Sequence, residues 1–368
     1  TPPAPTELEI RVIDWLRQMI GLPDDFSGCI QDSASSATLC AILTARERAL
    51  NWRGNAQGLS GHPHIRIYCA DQVHSSIDKA MWVAGLGQAN LVKLPTGASG
   101  AMDVHQLDAA ISADRRAGHL PAGIVACIGS TGVGASDDIA AVAGVAQREK
   151  LYLHVDAAWA GAAMICAEFR HMMAGAELAD SFVFNPHKWL FTNFDCSAHF
   201  VREPNDLMRT LAIKPDYLKT DGQDGVINFS EWSVPLGRRF RALKLWFVIR
   251  AYGVEKLRDM LRHHITWAGE LAARIDQSAD FELTSDPVLS LFTFRYAPPG
   301  AHDLDALNAG LLEAINDDGR IYLTKTRHQG NTVIRFQVGQ TNTTSDDVAL
   351  AWEVIRQIAA GLKSPGIS

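Results

Sequence analysis

Short runs of β-branched and aromatic residues alternate with helical patterns through the first half of the chain. Five of these runs predict strands, at 65–70, 90–95, 123–130, 151–158 and 181–185. The segments between them predict helices that begin near His74 and cover 103–116 and 137–148. This alternation is typical of an α/β domain with a mostly parallel sheet covered on both faces. Ligands of such sheets bind at the carboxyl ends of the strands, so the residues there are the candidates for chemistry.

The pattern changes on either side of this region. Thr6 and Glu9 match a capping box at the start of a helix that Gly21 ends, and the stretch 32–38 leads into a second helix that ends at about Leu50. A polar loop covers 214–228, and a long helix begins near Lys244. The remaining segments predict a smaller α+β fold, with strands 288–296, 320–325 and 332–338 and helices 303–317 and 344–361. We therefore predict a large domain over 1–243 and a small domain over 244–368.

Composition narrows the class of protein. The 368 residues are 47% hydrophobic and 20% charged, which is typical of a globular enzyme. The net charge is −7 without a basic block, so we expect no nucleic-acid partner. No stretch of 18 uncharged apolar residues occurs, so we expect no membrane partner either. The first residues, TPPAPTELE, do not match a signal peptide, and the chain starts at Thr1 rather than Met. Six scattered cysteines favour reduced thiols, a cytoplasmic location and no metal cage.

Lys188 lies in an unusual place for a charged side chain. It follows the apolar run 181–185 and stands between a histidine and a tryptophan in NPHKW. A lysine in an apolar setting can become a nucleophile toward carbonyl groups. The alternative is an ordinary lysine that extends from the edge of the core to solvent. The position of Lys188, considered without the other residues, favours this alternative.

Three further groups come at strand ends or helix starts. Asp156 ends the strand LYLHVD beside small residues, where its carboxylate could hold a proton on a ring nitrogen or simply cap a turn. Ser33, Ala34 and Ser35 precede a helix, where they could bind phosphate or serve only as its N-cap. His74 could stack on a flat ligand or be a surface histidine.

Together these groups match the requirements of pyridoxal 5′-phosphate (PLP): a Schiff-base lysine, a carboxylate for the pyridine nitrogen, a phosphate site and a stacking group. Other cofactor and nucleophile motifs do not fit. Gly132-Val133-Gly134 does not continue as the dinucleotide-binding motif GxGxxG, and neither HExxH nor GxSxG occurs.

Four motifs resemble one enzyme family. NPHKW, HVDAAWAG upstream of it, DQVHSS before that and PLGRRFRALKLWFV after it resemble the group II PLP-dependent amino-acid decarboxylases. The segment 165–201 is similar almost throughout to the aromatic-L-amino-acid (DOPA/tryptophan/tyrosine) decarboxylases. The resemblance covers nearly the whole chain.

The resemblance implies a fold-type I PLP enzyme, with a large domain built on a mostly parallel sheet and a small C-terminal domain. It further implies an obligate homodimer with active sites at the interface. By this resemblance Lys188 is the Schiff-base lysine, Asp156 faces the pyridine nitrogen, Ala158 lies against the ring and His74 stacks on it. The other cofactor-binding positions that it implies are Ser33, Ala34, Ser35, Thr131, Ser181, Asn185, His187 and, reaching the partner's site, Gly237.

The resemblance also implies a reaction: decarboxylation of an aromatic L-amino acid to the corresponding amine and CO2. Tyr217 matches the tyrosine that protonates the substrate carbon, whereas aldehyde synthases of the family usually carry phenylalanine there. Aldehyde synthesis, or decarboxylation of another amino acid such as histidine or glutamate, is the alternative. Family members carry an N-terminal arm ahead of the position that Thr1 occupies, and this arm is expected to pack on the partner subunit and line the substrate pocket.

Overall fold

The computed structural model describes residues 3–97, 99–213 and 227–362. The chain divides into two compact units. The first contains Thr1–Ile128 and Ser136–Leu257, and the second contains Gly129–Ala135 and Arg258–Ser368. The predicted domain boundary between residues 243 and 244 stays a prediction.

The first unit is built on a seven-stranded sheet with strand order β1-β7-β6-β5-β4-β2-β3. Its strands are β1 (Ser27–Gln31), β2 (Ile65–Ala70), β3 (Leu91–Leu94), β4 (Leu120–Cys127), β5 (Tyr152–Asp156), β6 (Ser181–Phe184) and β7 (Ser197–Val201). All neighbouring pairs from β3 to β6 are parallel, and β7 runs antiparallel to both β6 and β1. The predicted α/β class with a mostly parallel sheet is therefore confirmed.

Eight helices of the first unit accompany this sheet. They are α1 (Pro3–Ile20), α2 (Ala34–Ala49), α3 (Gly54–Gln57), α4 (Ser76–Val83), α5 (Val104–Arg116), α6 (Ile139–Glu149), α7 (Pro186–Trp189) and α8 (Pro204–Leu211). Asp103 and Asp138 cap α5 and α6 by accepting hydrogen bonds from their first amides. Ile42 of α2 and Met81 of α4 belong to one buried cluster with Ile67 of β2, so these helices cover one face of the sheet.

The second unit has an antiparallel sheet of order β10-β11-β9-β8. Its strands are β8 (Phe281–Val288), β9 (Leu291–Tyr296), β10 (Thr324–His328) and β11 (Asn331–Gln337). Helices α10 (Leu304–Asp318) and α11 (Ser345–Leu362) pack on it around Phe292, Phe294 and Ile315. The long helix α9 (Arg241–Asp276) starts in the first unit and ends in the second, with a kink at Gly253, whose φ is 72°.

The predicted capping box is wrong. Helix α1 begins at Pro3, so Thr6 lies within it, and the Glu9 side chain is used elsewhere. Glu9 is buried and accepts hydrogen bonds from the Ile30 amide at 2.7 Å and from Arg238 at 2.6 Å. A carboxylate committed to these long-range partners cannot also cap its own helix.

Strands β1, β7 and β8 were not predicted, and the strand predicted at 320–325 lies at Thr324–His328. The strand predicted at 123–130 ends at Cys127. No helix in the described part of the chain has the length and apolar character needed to cross a membrane.

Candidate active site

Asp156 is the last residue of β5 and marks the carboxyl end of the sheet. Its Cα is in register with Cys127 on β4 and Val183 on β6. The side chain is 6% exposed, and its Oδ1 accepts a 3.0 Å hydrogen bond from the Ala158 amide. Burial raises the pKa of Asp156, and the positive charge of Lys188 opposes that rise. The site therefore contains a buried carboxylate that a nearby cation stabilises.

Lys188 lies on α7, the single turn of helix that follows β6. Its amide donates a 2.9 Å hydrogen bond to the carbonyl of Asn185. The adjacent Trp189 is buried against Trp159, with ring centroids 5.4 Å apart, and this contact anchors the turn. Lys188 itself is exposed, and its charge acts on the Asp156 carboxylate. The sheet thus brings an accessible amine and a buried carboxylate to the same edge, as predicted from the strand ends.

Two more predicted residues come just before Lys188 in the chain. Asn185 is 2% exposed, and its Oδ1 has no hydrogen-bond partner among the residues described. Nδ1 of His187 accepts a 2.8 Å hydrogen bond from the Cys196 amide. Burial lowers the pKa of His187 to about 4, with a further contribution from Lys188, so the ring is neutral at pH 7. A buried amide oxygen without a partner indicates a position for a ligand or an ordered water.

The first turn of α2 lies beside these strand ends. Ser33 is its N-cap, and the Ser33 hydroxyl accepts a 3.3 Å hydrogen bond from the Ser36 amide. Ser35, on the same turn, is exposed. Packing sets the position of this turn through one small apolar cluster made of Ala34, Ala37, Val183 and Ala158. The amides at the start of α2 are therefore held next to β5 and β6, where they can bind an anion.

His74 lies just before α4, and its ring orientation is fixed locally. Its Nδ1 accepts a 3.1 Å hydrogen bond from the Ser76 amide and lies 2.9 Å from the Ser76 hydroxyl. The exposed ring also interacts electrostatically with Asp156. His74 therefore joins Lys188 and Asp156 at the same end of the sheet.

Two further predicted site residues, Ser181 and Thr131, make other contacts. Ser181 is fully buried at the start of β6, in register with His154, and the Ser181 hydroxyl lies 2.7 Å from His154 Nδ1. Thr131 belongs to the second unit, where its carbonyl accepts a 2.7 Å hydrogen bond from Arg335.

Gly237 and Tyr217 are the remaining predicted site residues. Gly237 precedes α9, and a side chain added there would meet no atom of the described structure within 4 Å. Its neighbour Arg238 is anchored to Glu9. Tyr217 lies outside the described residues.

Cys127 lies at the site, although its sequence pattern gave no indication of this. The pattern predicts a strand that continues to residue 130, whereas β4 ends at Cys127. At this end of the strand Asp137 accepts hydrogen bonds from the amides of Cys127 and Met102, both at 2.7 Å. Burial raises the pKa of the Cys127 thiol well above its usual range, and the Asp156 charge adds to this. A neutral thiol therefore lies beside the Asp156 carboxylate.

Comparison with known proteins identifies the family. A sequence profile described as "Pyridoxal-dependent decarboxylase conserved domain" matches residues 1–297. The aromatic-L-amino-acid decarboxylase of Sus scrofa is 40% identical over 374 residues, which span 98% of this chain and 75% of that protein. The chain belongs to the pyridoxal-dependent decarboxylases. The phenylacetaldehyde synthase of Arabidopsis thaliana is 37% identical, with 98% of this chain and 76% of that protein covered.

The fold of this decarboxylase also matches those of solved family members. The structure of Oryza sativa TDC with PLP and tryptamine matches with a TM-score of 0.94 and 37% identity, over 98% of this chain and 77% of that one. Catharanthus roseus tryptophan decarboxylase in complex with L-tryptophan matches with a TM-score of 0.90 and 33% identity, over 98% and 76%. The predicted family and its PLP cofactor are confirmed.

The donor set of this decarboxylase fits PLP. The cofactor has a carbonyl carbon, a basic ring nitrogen and a phosphate group. The first unit offers an amine at Lys188, a buried carboxylate at Asp156 and free amides at the start of α2. Asn185 adds a buried oxygen whose partner is missing from the described residues. Each chemical group of PLP therefore has a matching protein group at one end of the sheet.

Proposed function

We propose that this chain decarboxylates an aromatic L-amino acid with PLP, releasing the corresponding amine and CO2. The observation that carries the proposal is the convergence of Lys188, Asp156 and the first turn of α2 at one edge of the sheet. The aromatic specificity is supported by the relatives, which include a tyrosine decarboxylase of Narcissus pseudonarcissus at 38% identity and a tryptophan decarboxylase of Oryza sativa at 37%.

Each residue then has a physical task. Bound PLP supplies a carbonyl carbon for amines and a ring that accepts the electrons left behind when the carboxylate departs. Lys188 would hold the carbonyl carbon of bound PLP through its side-chain amine. Asp156 favours a protonated ring nitrogen because its buried negative charge stabilises a nearby positive one.

The remaining groups bind and orient the cofactor. The amides at the start of α2 and the neutral His187 donate hydrogen bonds to an anionic group. His74 would stack on the ring of bound PLP, and the small side chain of Ala158 would lie against it. Contacts of this kind would orient the substrate so that the bond to its carboxylate can be cleaved.

We also propose that Tyr217 delivers the proton that replaces CO2 on the substrate carbon. The second candidate function is aldehyde synthesis, which is supported by the similarity to Arabidopsis thaliana phenylacetaldehyde synthase. We expect Tyr217→Phe to lower amine formation about 100-fold, since a positioned general acid contributes that much, and to raise peroxide formation. Amine and peroxide are measured together on the same sample. An unchanged amine yield in Tyr217→Phe would remove Tyr217 from this role.

One assay tests the main proposal. Purified protein with PLP is incubated with DOPA, 5-hydroxytryptophan, tryptophan, tyrosine and phenylalanine, and also with histidine and glutamate. Amine, CO2 and peroxide are measured for each amino acid. The proposal expects amine and CO2 in equal amounts from at least one aromatic substrate and none from Lys188→Ala. Amine from histidine or glutamate alone would overturn the aromatic assignment.

We further propose a homodimer whose interface includes an apolar patch beside Gly237. The patch consists of Val234, Leu236, Phe240, Leu243 and Phe247, which are between 37% and 58% exposed. Such a concentration of exposed apolar side chains favours a protein partner. A second copy of this chain is the partner that would bring Gly237 to a neighbouring cofactor site.

We place the protein in the cytoplasm. All six cysteines are free, and five of them are buried, which is consistent with a reducing compartment. Fractionation of the source cells, with detection of the protein in the soluble reducing fraction, tests this proposal.

A further inference from the structure

The loop from Leu190 to Cys196 folds back on the active-site turn. The amide of His187 donates a 3.2 Å hydrogen bond to the Cys196 carbonyl, and the amide of Cys196 donates a 2.8 Å hydrogen bond to His187 Nδ1. The ring of Phe194 lies against the His187 imidazole, with centroids 4.7 Å apart. Three contacts therefore join one histidine to one loop.

This arrangement selects one tautomer of His187. A backbone amide can only donate, so Nδ1 must be an acceptor and carries no hydrogen. The ring is neutral at pH 7, because burial lowers the pKa of His187 to about 4. Its single hydrogen is therefore on Nε2, where it can be donated to an anionic oxygen.

The loop is in turn anchored by Asp195. This carboxylate is 6% exposed and accepts hydrogen bonds from Arg241 Nε at 2.9 Å and Lys244 Nζ at 3.1 Å. Arg241 Nη2 lies 2.8 Å from the same Asp195 oxygen as Nε, and Arg239 approaches to 3.4 Å. Three cations at the start of α9 thus converge on one side chain that precedes Cys196.

The balance of these contacts leaves Asp195 ionised. Burial raises its pKa, but the hydrogen bonds from Arg241 and Lys244 outweigh that effect and lower the pKa to about 2. Charge-assisted hydrogen bonds of this kind are roughly twice as strong as neutral ones. The anchor therefore holds the loop firmly at any pH at which the enzyme works.

We propose that Asp195 is a positioning residue, which anchors its loop to α9 so that the Cys196 amide holds His187 as the Nε2–H tautomer for the phosphate of PLP. The proposal rests on the proposed function, because this donor is needed only if the cofactor binds at the turn. In this proposal Asp195 acts only through Cys196 and His187, and its own side chain makes no contact with the cofactor.

The test compares Asp195→Asn with the wild-type holoenzyme. Nitrogen-15 NMR of the histidine rings, with the His187 signals assigned from a His187→Gln sample, reports the tautomer directly. We expect a protonated Nε2 and an unprotonated Nδ1 in the wild type and a mixture of tautomers in Asp195→Asn. The PLP dissociation constant should rise about tenfold, the equivalent of one charge-assisted hydrogen bond, and kcat at saturating PLP should change less.

A matched control separates positioning from general stability. Asp114→Asn removes another carboxylate of the first unit, which pairs with Arg66 at 3.2 Å and accepts from Tyr68 at 2.7 Å. We expect it to lower the melting temperature without changing the His187 tautomer or PLP affinity. Asp195→Glu, which restores the charge, should recover part of the affinity.

The outcomes are distinct. If Asp195→Asn does not fold, Lys244→Gln, which removes one anchor contact, is judged by the same two measurements and should shift both in the same direction. An unchanged tautomer and PLP affinity in the folded variant would overturn the proposal. A wild-type protein that binds no PLP would instead overturn the proposed function, while the tautomer measurement still shows whether Asp195 positions His187.

Discussion

At the scale of single residues, Asp156 has the clearest physical signature. Its carboxylate is 6% exposed, and burial raises its pKa although Lys188 and the Ala158 amide oppose that effect. When the folded-state pKa lies above the unfolded value, the ionised group costs stability. This cost grows as the pH rises above the unfolded pKa and is complete above the folded pKa. The positive charge of a protonated ring nitrogen on bound PLP would offset this cost. The Asp156 carboxylate therefore destabilises the cofactor-free protein and favours binding of the cofactor.

Asp156→Asn should therefore separate stability from activity. We expect the cofactor-free variant to be more stable than the cofactor-free wild type at pH 7.5, because no charge remains to be buried. The advantage should shrink as the pH falls toward 3.8, the ordinary pKa of the carboxyl, since the wild-type group then becomes neutral. Activity with PLP should fall about 100-fold or more, because a charge that acts in the transition state is lost.

Thermal unfolding across pH, with and without PLP, checks this prediction. PLP should stabilise the wild type more than the variant. A cofactor-free variant less stable than the wild type at pH 7.5 would show that burial is not what dominates at Asp156.

At the scale of helices and strands, the sequence predicted what local patterns encode. Lys188, Asp156 and Ser33 were found because a strand end and a helix start leave a signature within a few residues. The sequence pattern did not indicate strands β1 and β7. Strands as short as 27–31 and 197–201 are defined by the hydrogen bonds that pair them with each other, and their own composition gives little signal. The role of Asp195 depends on cations that follow it by 46 and 49 positions, which no local pattern reveals.

Contacts with residues far along the chain also explain why the capping box predicted for Glu9 is wrong. Its carboxylate links α1 to Ile30 on β1 and to Arg238, which directly follows Gly237. Breaking such a buried pair by removing one partner costs about 3–5 kcal/mol. Glu9 therefore holds the segment that carries the apolar patch, and the surface proposed to meet a second copy is tied to the sheet.

The apolar patch gives a prediction at this scale. Leu236 is 58% exposed, and we expect Leu236→Asp to convert the proposed homodimer to monomer at micromolar concentration, since a charge would have to be desolvated in the interface. Sedimentation velocity measures the change. Leu350→Asp is the matched control, because Leu350 is 41% exposed on α11 and lies outside the patch. A Leu236→Asp variant that sediments as a dimer, as we expect of the wild type, would exclude the patch from the interface.

At the scale of the whole molecule, buried histidines link stability to pH. His154 and His199 face each other edge to face across the interior of the sheet, each 1% exposed. Burial lowers the pKa of His154 to about 3, and the neighbouring His199 adds to this effect. Burial likewise lowers the pKa of His199 to about 4. Both rings are neutral in the folded protein and become protonated on unfolding once the pH falls below about 6.5.

This difference sets the direction of acid unfolding. Between pH 6.5 and about 4 the unfolded chain binds protons that the folded chain does not, so stability is complete above pH 6.5 and decreases as the pH falls. Each buried histidine should cost about 2 kcal/mol of unfolding free energy between pH 6.5 and 5. Urea unfolding of the cofactor-free protein at these two pH values measures the loss.

His199→Leu isolates one of the two groups. Neither ring nitrogen of His199 has a hydrogen-bond partner in the described residues, so an apolar side chain of similar size sacrifices no hydrogen bond between protein groups. The loss of stability between pH 6.5 and 5 should then decrease by about 2 kcal/mol, while His302→Gln, which replaces an exposed histidine, should retain the wild-type loss. An identical loss in His199→Leu and wild type would mean that the proton uptake on unfolding comes from other groups.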